Sequence, residues 1–130
     1  AEREYRAALR LEPKHTASLV ALASLLVARK QNLDEARKLA VLASQVEAER
    51  ADAAILAAWI LHLQGADDKA ADELGKIVGA MPQNPEAWQK LAVVLRRLGR
   101  KDQAKQAEEM AAQFLAQSRP AEMDFIEGRR

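Results

Sequence analysis

Few side chains in this sequence are able to do chemistry, and their spacing limits what they can do. There are two histidines and no cysteine. His62 has no second histidine three or four residues away, and His15 falls in a loop, so they form no metal-ligand set. Without cysteine there is no disulfide or thiol chemistry, while the compartment stays open. The acid pairs Asp67-Asp68 and Glu108-Glu109 sit at helix starts or on exposed faces. A Gly-rich phosphate loop, an HExxH pair and a nucleophile elbow are all missing. These residues point away from an enzyme and ask for no cofactor. What remains is the chemistry of recognition: Trp59, Trp88 and the basic cluster Arg96, Arg97, Arg100 and Lys101. The cluster lies at a helix C-terminus, where cations are favoured in any case, so a solvated face stands beside a binding role. Trp59 lies in the run Ala53–Leu61, apolar on every side, and reads equally as core or as a partner contact.

The elements that position these residues follow from a six-residue phrase that occurs three times. It reads Gln31-Asn32-Leu33-Asp34-Glu35-Ala36, then Gly65-Ala66-Asp67-Asp68-Lys69-Ala70, then Gly99-Arg100-Lys101-Asp102-Gln103-Ala104. Ala36, Ala70 and Ala104 are 34 residues apart (70 − 36 and 104 − 70), the length of one helix–turn–helix unit of a stacked array. The phrase has a simple physical logic. A residue tolerant of the left-handed conformation ends one helix, which glycine does without steric cost. An acidic residue opens the next, where it caps free N–H groups and suits the dipole. A small alanine one turn later lets the second helix lie close against the first.

Composition agrees. Hydrophobic residues make up 49% of the 130, but aromatics only 4%; alanine and leucine dominate, which is helix-forming material. No stretch alternates with period two, so no sheet is expected. The formal net charge is +1, from 20 basic and 19 acidic residues. No global basic field exists to hold nucleic acid or a membrane surface, and no apolar run reaches membrane-spanning length.

In chain order, residues 1–13 read as the second helix of a truncated repeat, with Tyr5, Ala8 and Leu9 on one face and Pro13 ending it. Repeat one is expected over 16–50, with Leu19, Leu22, Ala23 and Leu26 as its stripe and one extra residue in the turn, where Gln31 and Asn32 replace the glycine. Repeat two covers 51–84 and repeat three 85–118. Repeat three opens at Asn84-Pro85, a good cap followed by a favoured first position. Residues 119–130 form a polar tail with one apolar pair, Phe125-Ile126; Ile126–Arg129 also spells a common engineered protease site.

These residues together resemble the tetratricopeptide repeat family. The family phrase of Trp, Leu-Gly, Tyr, Ala, Phe and Pro is met by Trp88, Leu91, Ala92, Leu95 and Ala104 in unit three. Unit two offers Ala57, Ala58, Leu61, Gly65, Ala70, Leu74 and Pro82, and unit one Leu22, Ala23, Leu26 and Ala36. The glycine of Leu-Gly is always alanine here, and Glu108 fills an aromatic slot, which implies that unit three faces solvent as a terminal cap. By this resemblance Trp88 is a core residue.

The resemblance implies an all-α fold, a right-handed superhelical array of antiparallel helix pairs (an α-solenoid), and a piece of a larger bacterial protein. It also implies function by binding a protein or peptide in the concave groove lined by the first helices. Carried over residue by residue, the groove would hold Val20, Ser24 and Val27 in unit one, Asp52, Ile55, Trp59 and His62 in unit two, and Gln89, Val93, Arg96 and Arg97 in unit three. Such a groove is apolar at one end and basic at the other. It would suit an extended partner with apolar anchors and a nearby acidic group. Val20, Ser24, Ile55 and Trp59 fill the slots where relatives that grip acidic C-termini carry Lys and Asn, which argues against that subclass. The alternative is a structural spacer or assembly segment of a larger bacterial envelope or secretion scaffold. The truncated first unit leaves an apolar strip, so self-association through the N-terminal end is the expected mode.

Overall fold

The computed structural model describes residues 1–117, so the polar tail and its Phe125-Ile126 pair lie outside the described residues. Those residues form seven α-helices: α1 Glu2–Leu11, α2 Thr16–Arg29, α3 Leu33–Val46, α4 Ala51–Leu63, α5 Asp67–Ala80, α6 Pro85–Arg97 and α7 Lys101–Gln117. There is no strand among them.

Two kinds of turn alternate along the chain. After α2, α4 and α6 the backbone enters the left-handed region at Lys30, Gly65 and Gly99 (φ 53, 85 and 79°). The next amide then reaches back five residues: Gln31 N–H to the Leu26 carbonyl, Ala66 to Leu61, Arg100 to Leu95, at 3.1, 2.8 and 2.9 Å. This closure satisfies carbonyls orphaned at the helix end and fixes the reversal. After α1, α3 and α5 the connectors hold a shorter bond: His15 N–H to the Glu12 carbonyl, Arg50 to Glu47 and Asn84 to Met81. The unit-one turn differs from expectation. Lys30 and Asn32 (φ 50°), not Gln31 and Asn32, carry the positive angles.

The acidic residues of the repeated phrase do not cap. Asn32 and Ala66, which precede α3 and α5, make no side-chain cap bond; Asp34 and Asp67 sit inside the first turn, where their charge still suits the dipole. Side-chain caps occur instead at His15, whose Nδ1 accepts from the Ser18 amide, and at Asn84, whose Oδ1 accepts from Ala87 at 3.1 Å.

Consecutive helices pack as antiparallel neighbours. In addition the backbones of α2 and α4, and of α4 and α6, approach closely, whereas among the described residues those of α3 and α5, and of α5 and α7, do not. First helices that meet while second helices diverge bend the stack into an α-solenoid, with α2, α4 and α6 on its inner side. Ala36, Ala70 and Ala104 are each wholly buried, small residues where each second helix lies against the array. Ala23, Ala58 and Ala92 play the matching part on the first helices. On the diverging outer side, long ion pairs span the gaps. Arg6 of α1 reaches Glu35 of α3, and Arg37 of α3 reaches Glu73 of α5.

Candidate functional site

The inner face carries a shallow groove of about 330 Å³ across three helices. Val20, Ser24 and Val27 come from α2, Asp52, Ile55, Leu56 and Trp59 from α4, and Glu86 and Lys90 from α6. Six of the expected residues are thus brought together. Trp59 is its organising side chain. The Lys90 ammonium stands 4.2 Å from the centre of the indole, and the His62 ring lies against it at 4.5 Å, tilted 42°. The ring is half-buried. It packs on the core below and also lines the groove.

Other expected residues are placed differently. Ile55 is only 1% exposed; α6 covers it, so it is the floor of the groove and not a contact surface. His62 has its Nδ1 engaged by the Asp67 carboxylate at 2.5 Å, which ties α4 to the start of α5. Asp52 accepts from Arg50 Nε at 2.9 Å and from the Ala53 amide at 2.8 Å, and Arg50 is raised above its ordinary pKa chiefly by that bond. Trp88 is half-buried and packs at the edge of the core; its indole N–H donates to the Pro82 carbonyl at 2.8 Å.

Gln89, Val93, Arg96 and Arg97 do not join this groove. They line a second, larger cleft of about 640 Å³ between α6 and α7, with Ala92, Glu108, Ala111, Ala112 and Leu115. Arg96 Nε donates to Glu108 Oε1 at 2.9 Å, and a second guanidinium nitrogen contacts the same oxygen. The expected basic end is therefore partly neutralised from within. The expected apolar end is also charged, because Asp52 and Glu86 stand exposed beside Lys90. Glu86 and Lys90 were not expected in the groove. The period itself points to Glu86, which lies 34 residues after Asp52.

At the N-terminal end, Tyr5 and Leu9 pack half-buried on the cluster around Leu22 and Ala36. Leu11 is the one large apolar residue of α1 that stands exposed. Arg6 makes a two-pronged bond to Glu35 (2.8 and 3.0 Å) and a third to Glu2 (2.8 Å), and Arg29 also reaches Glu2. The Arg6 bond holds the Glu35 carboxyl below the usual carboxylate range, and Glu2 is lowered in the same way. No three His, Asp or Glu side chains among the described residues could together hold a metal, and no helix there is long and apolar enough to cross a membrane.

No family model matches the chain, and no curated protein matches it. Solved structures do. A structure of MamA MSR-1 aligns at 17% identity over 91% of this chain and 67% of its own length, with a TM-score of 0.72. A crystal structure of MamA protein aligns at 18% over 87% and 61%, with 0.75. Pseudomonas aeruginosa PilF aligns at 21% over 86% and 51%, with 0.74. The fold is tetratricopeptide-like. At such identities the likeness concerns the fold, and this tetratricopeptide-like chain spans about half to two thirds of the length of those structures.

Proposed function

We propose that this chain is a protein-interaction module that holds a partner peptide or helix on its inner face, across α2, α4 and α6. The observation that carries this reading is Trp59, which is fixed by Lys90 and His62 yet keeps a face in a groove edged by Val20, Ser24 and Val27. A rigid, half-buried aromatic in a concave site is the kind of residue on which binding energy concentrates. The partner would place an apolar anchor over Trp59 and an acidic group towards Arg97, in a stack divided into repeats over 16–50, 51–84 and 85–118. The solved structures of the same fold, MamA and PilF, are longer than this chain, which leaves room for a second reading, a spacer or assembly segment of a larger bacterial scaffold.

The test is a displayed peptide library panned on the whole chain, with selected peptides then measured on variants. Trp59→Ala should weaken binding at least tenfold, since loss of a buried aromatic anchor costs about 2 kcal/mol or more. Arg97→Ala should weaken it only a few-fold and lose its effect in high salt. Selected peptides that bind Trp59→Ala unchanged, or that perturb only outer residues such as Arg37 and Val41, would overturn the reading.

A further inference from the structure

The charges around the Trp59 groove are unevenly placed. Asp52 of α4 and Glu86 of α6 both line it, and both stand exposed. They hold the same place in successive units, each six residues before a buried alanine, Ala58 or Ala92 (58 − 52 and 92 − 86). The matching residue of α2, six before Ala23, is Ala17 (23 − 17). Acids are favoured in any first helical turn, so their surroundings matter more than their type. Where α2 and α4 begin, Arg50 donates to Asp52 and to Thr16, and Thr16 in turn donates to Glu47. One guanidinium thus stands among the carboxylates of Glu47 and Asp52. Glu86 has no hydrogen bond or ion pair with any described residue. Lys90, one turn after it, turns its ammonium onto the Trp59 ring. This edge of the groove is therefore left with negative charge that the fold does not balance.

We propose that the partner held on this face is a basic–apolar peptide: beside its apolar anchor it carries a lysine or arginine whose head group lies between Asp52 and Glu86. The proposal rests on the reading above that the inner groove holds a peptide, and it fixes the class of that peptide. Charge complementarity carries it. The groove offers carboxylates at the starts of α4 and α6 and apolar surface at Val20, Val27 and Trp59. A long basic side chain suits both, because its methylene stem packs on apolar surface while its charged head stays in water beside the carboxylates. Asp52 lies seven residues before Trp59 (59 − 52), about 10 Å along the helix. An extended peptide covers that step in about three residues. Arg97 stands at the other end of α6, so the peptide has a direction. Its basic residue lies towards the starts of α4 and α6, and its acidic residue towards the end of α6. A peptide with the two charges exchanged would set like charge against like at both ends.

The experiment pans a displayed random peptide library on the whole chain and measures the selected peptides by fluorescence anisotropy on variants. The expected selection is enriched in lysine or arginine within about three residues of an apolar anchor. Glu86→Gln breaks no bond to a described residue. It should weaken these peptides about two- to fivefold at low salt, as loss of an exposed ion pair does, and the effect should fade as salt rises. Glu86→Lys should weaken them further, and a selected peptide with its basic residue changed to glutamate should regain affinity on that variant. Peptides that need Trp59 but carry no basic residue, and that bind Glu86→Gln as tightly as the parent, would overturn this inference and leave the groove reading standing. Selected peptides indifferent to Trp59→Ala would overturn both.

Discussion

The Lys90 ammonium lies 4.2 Å from the centre of the Trp59 ring, so a residue of α6 covers the indole of α4. The contact does two jobs. It fastens neighbouring inner helices, and it sets the angle at which the indole meets the groove. A cation over an indole face is attracted by the ring quadrupole, by about 0.5–1 kcal/mol where water still reaches the pair.

Replacing the charge while keeping the aliphatic stem isolates that term. Lys90→Met should lower stability by about 0.5–1 kcal/mol in urea unfolding. In a Trp88→Phe background, which leaves Trp59 as the sole indole, the native emission of Trp59 should shift as well. Unchanged stability together with unchanged emission would mean that the ammonium does not rest on the ring in solution.

The alanine seam should be intolerant of bulk. Ala70 and Ala104 are wholly buried, so three more heavy atoms at either would press on the helices packed around it. Ala70→Leu and Ala104→Leu should each cost about 1–3 kcal/mol through displaced helices. Ala80→Leu, at an exposed position of α5, should stay within about 0.5 kcal/mol of the parent. Equal midpoints for all three variants in urea would show that the helices cross elsewhere.

What was legible in the sequence was what depends on neighbours a few residues away. Gly65 and Gly99 announced two turns, and Ala70 and Ala104 announced the seam. Lys30 did not announce the third turn, because a lysine in the left-handed conformation is imposed by the helices on either side and carries no local signal. The inner face was legible as a direction but not as a depth. Helical spacing puts Ile55 and Trp59 on one side of α4, and only the arrival of α6 decides that the first is sealed and the second left half-open. The charge of the groove was hidden for a similar reason. Arg96 looks basic until Glu108, twelve residues on and across a turn, folds back on it. His62 looks like a groove residue until Asp67 takes its Nδ1.

Acid should loosen the first helix before the rest. Arg6 ties α1 to α3 through Glu35, and its bond to that carboxylate holds the Glu35 pKa below the ordinary value. A group whose folded pKa is depressed adds stability above its unfolded pKa, about 4.3 for glutamate. That stability is lost as pH falls through the folded value. Glu2, on the same guanidinium, acts in the same sense. Both partners of the Arg6–Glu35 pair are about a third exposed, so water screens the pair and its worth at neutral pH should stay under about 1 kcal/mol. Glu35→Gln should therefore be slightly less stable than the parent at pH 7. Its stability should fall less steeply below about pH 4.5, where the parent takes up a proton on unfolded Glu35 before it does so on the folded chain. Hydrogen exchange across the same titration should place the change in α1, whose backbone packs closely on α2 alone among the described residues and which reaches α3 through side chains. Urea midpoints of parent and variant that run parallel from pH 7 down to pH 3 would show that the Arg6–Glu35 bond contributes nothing to folding.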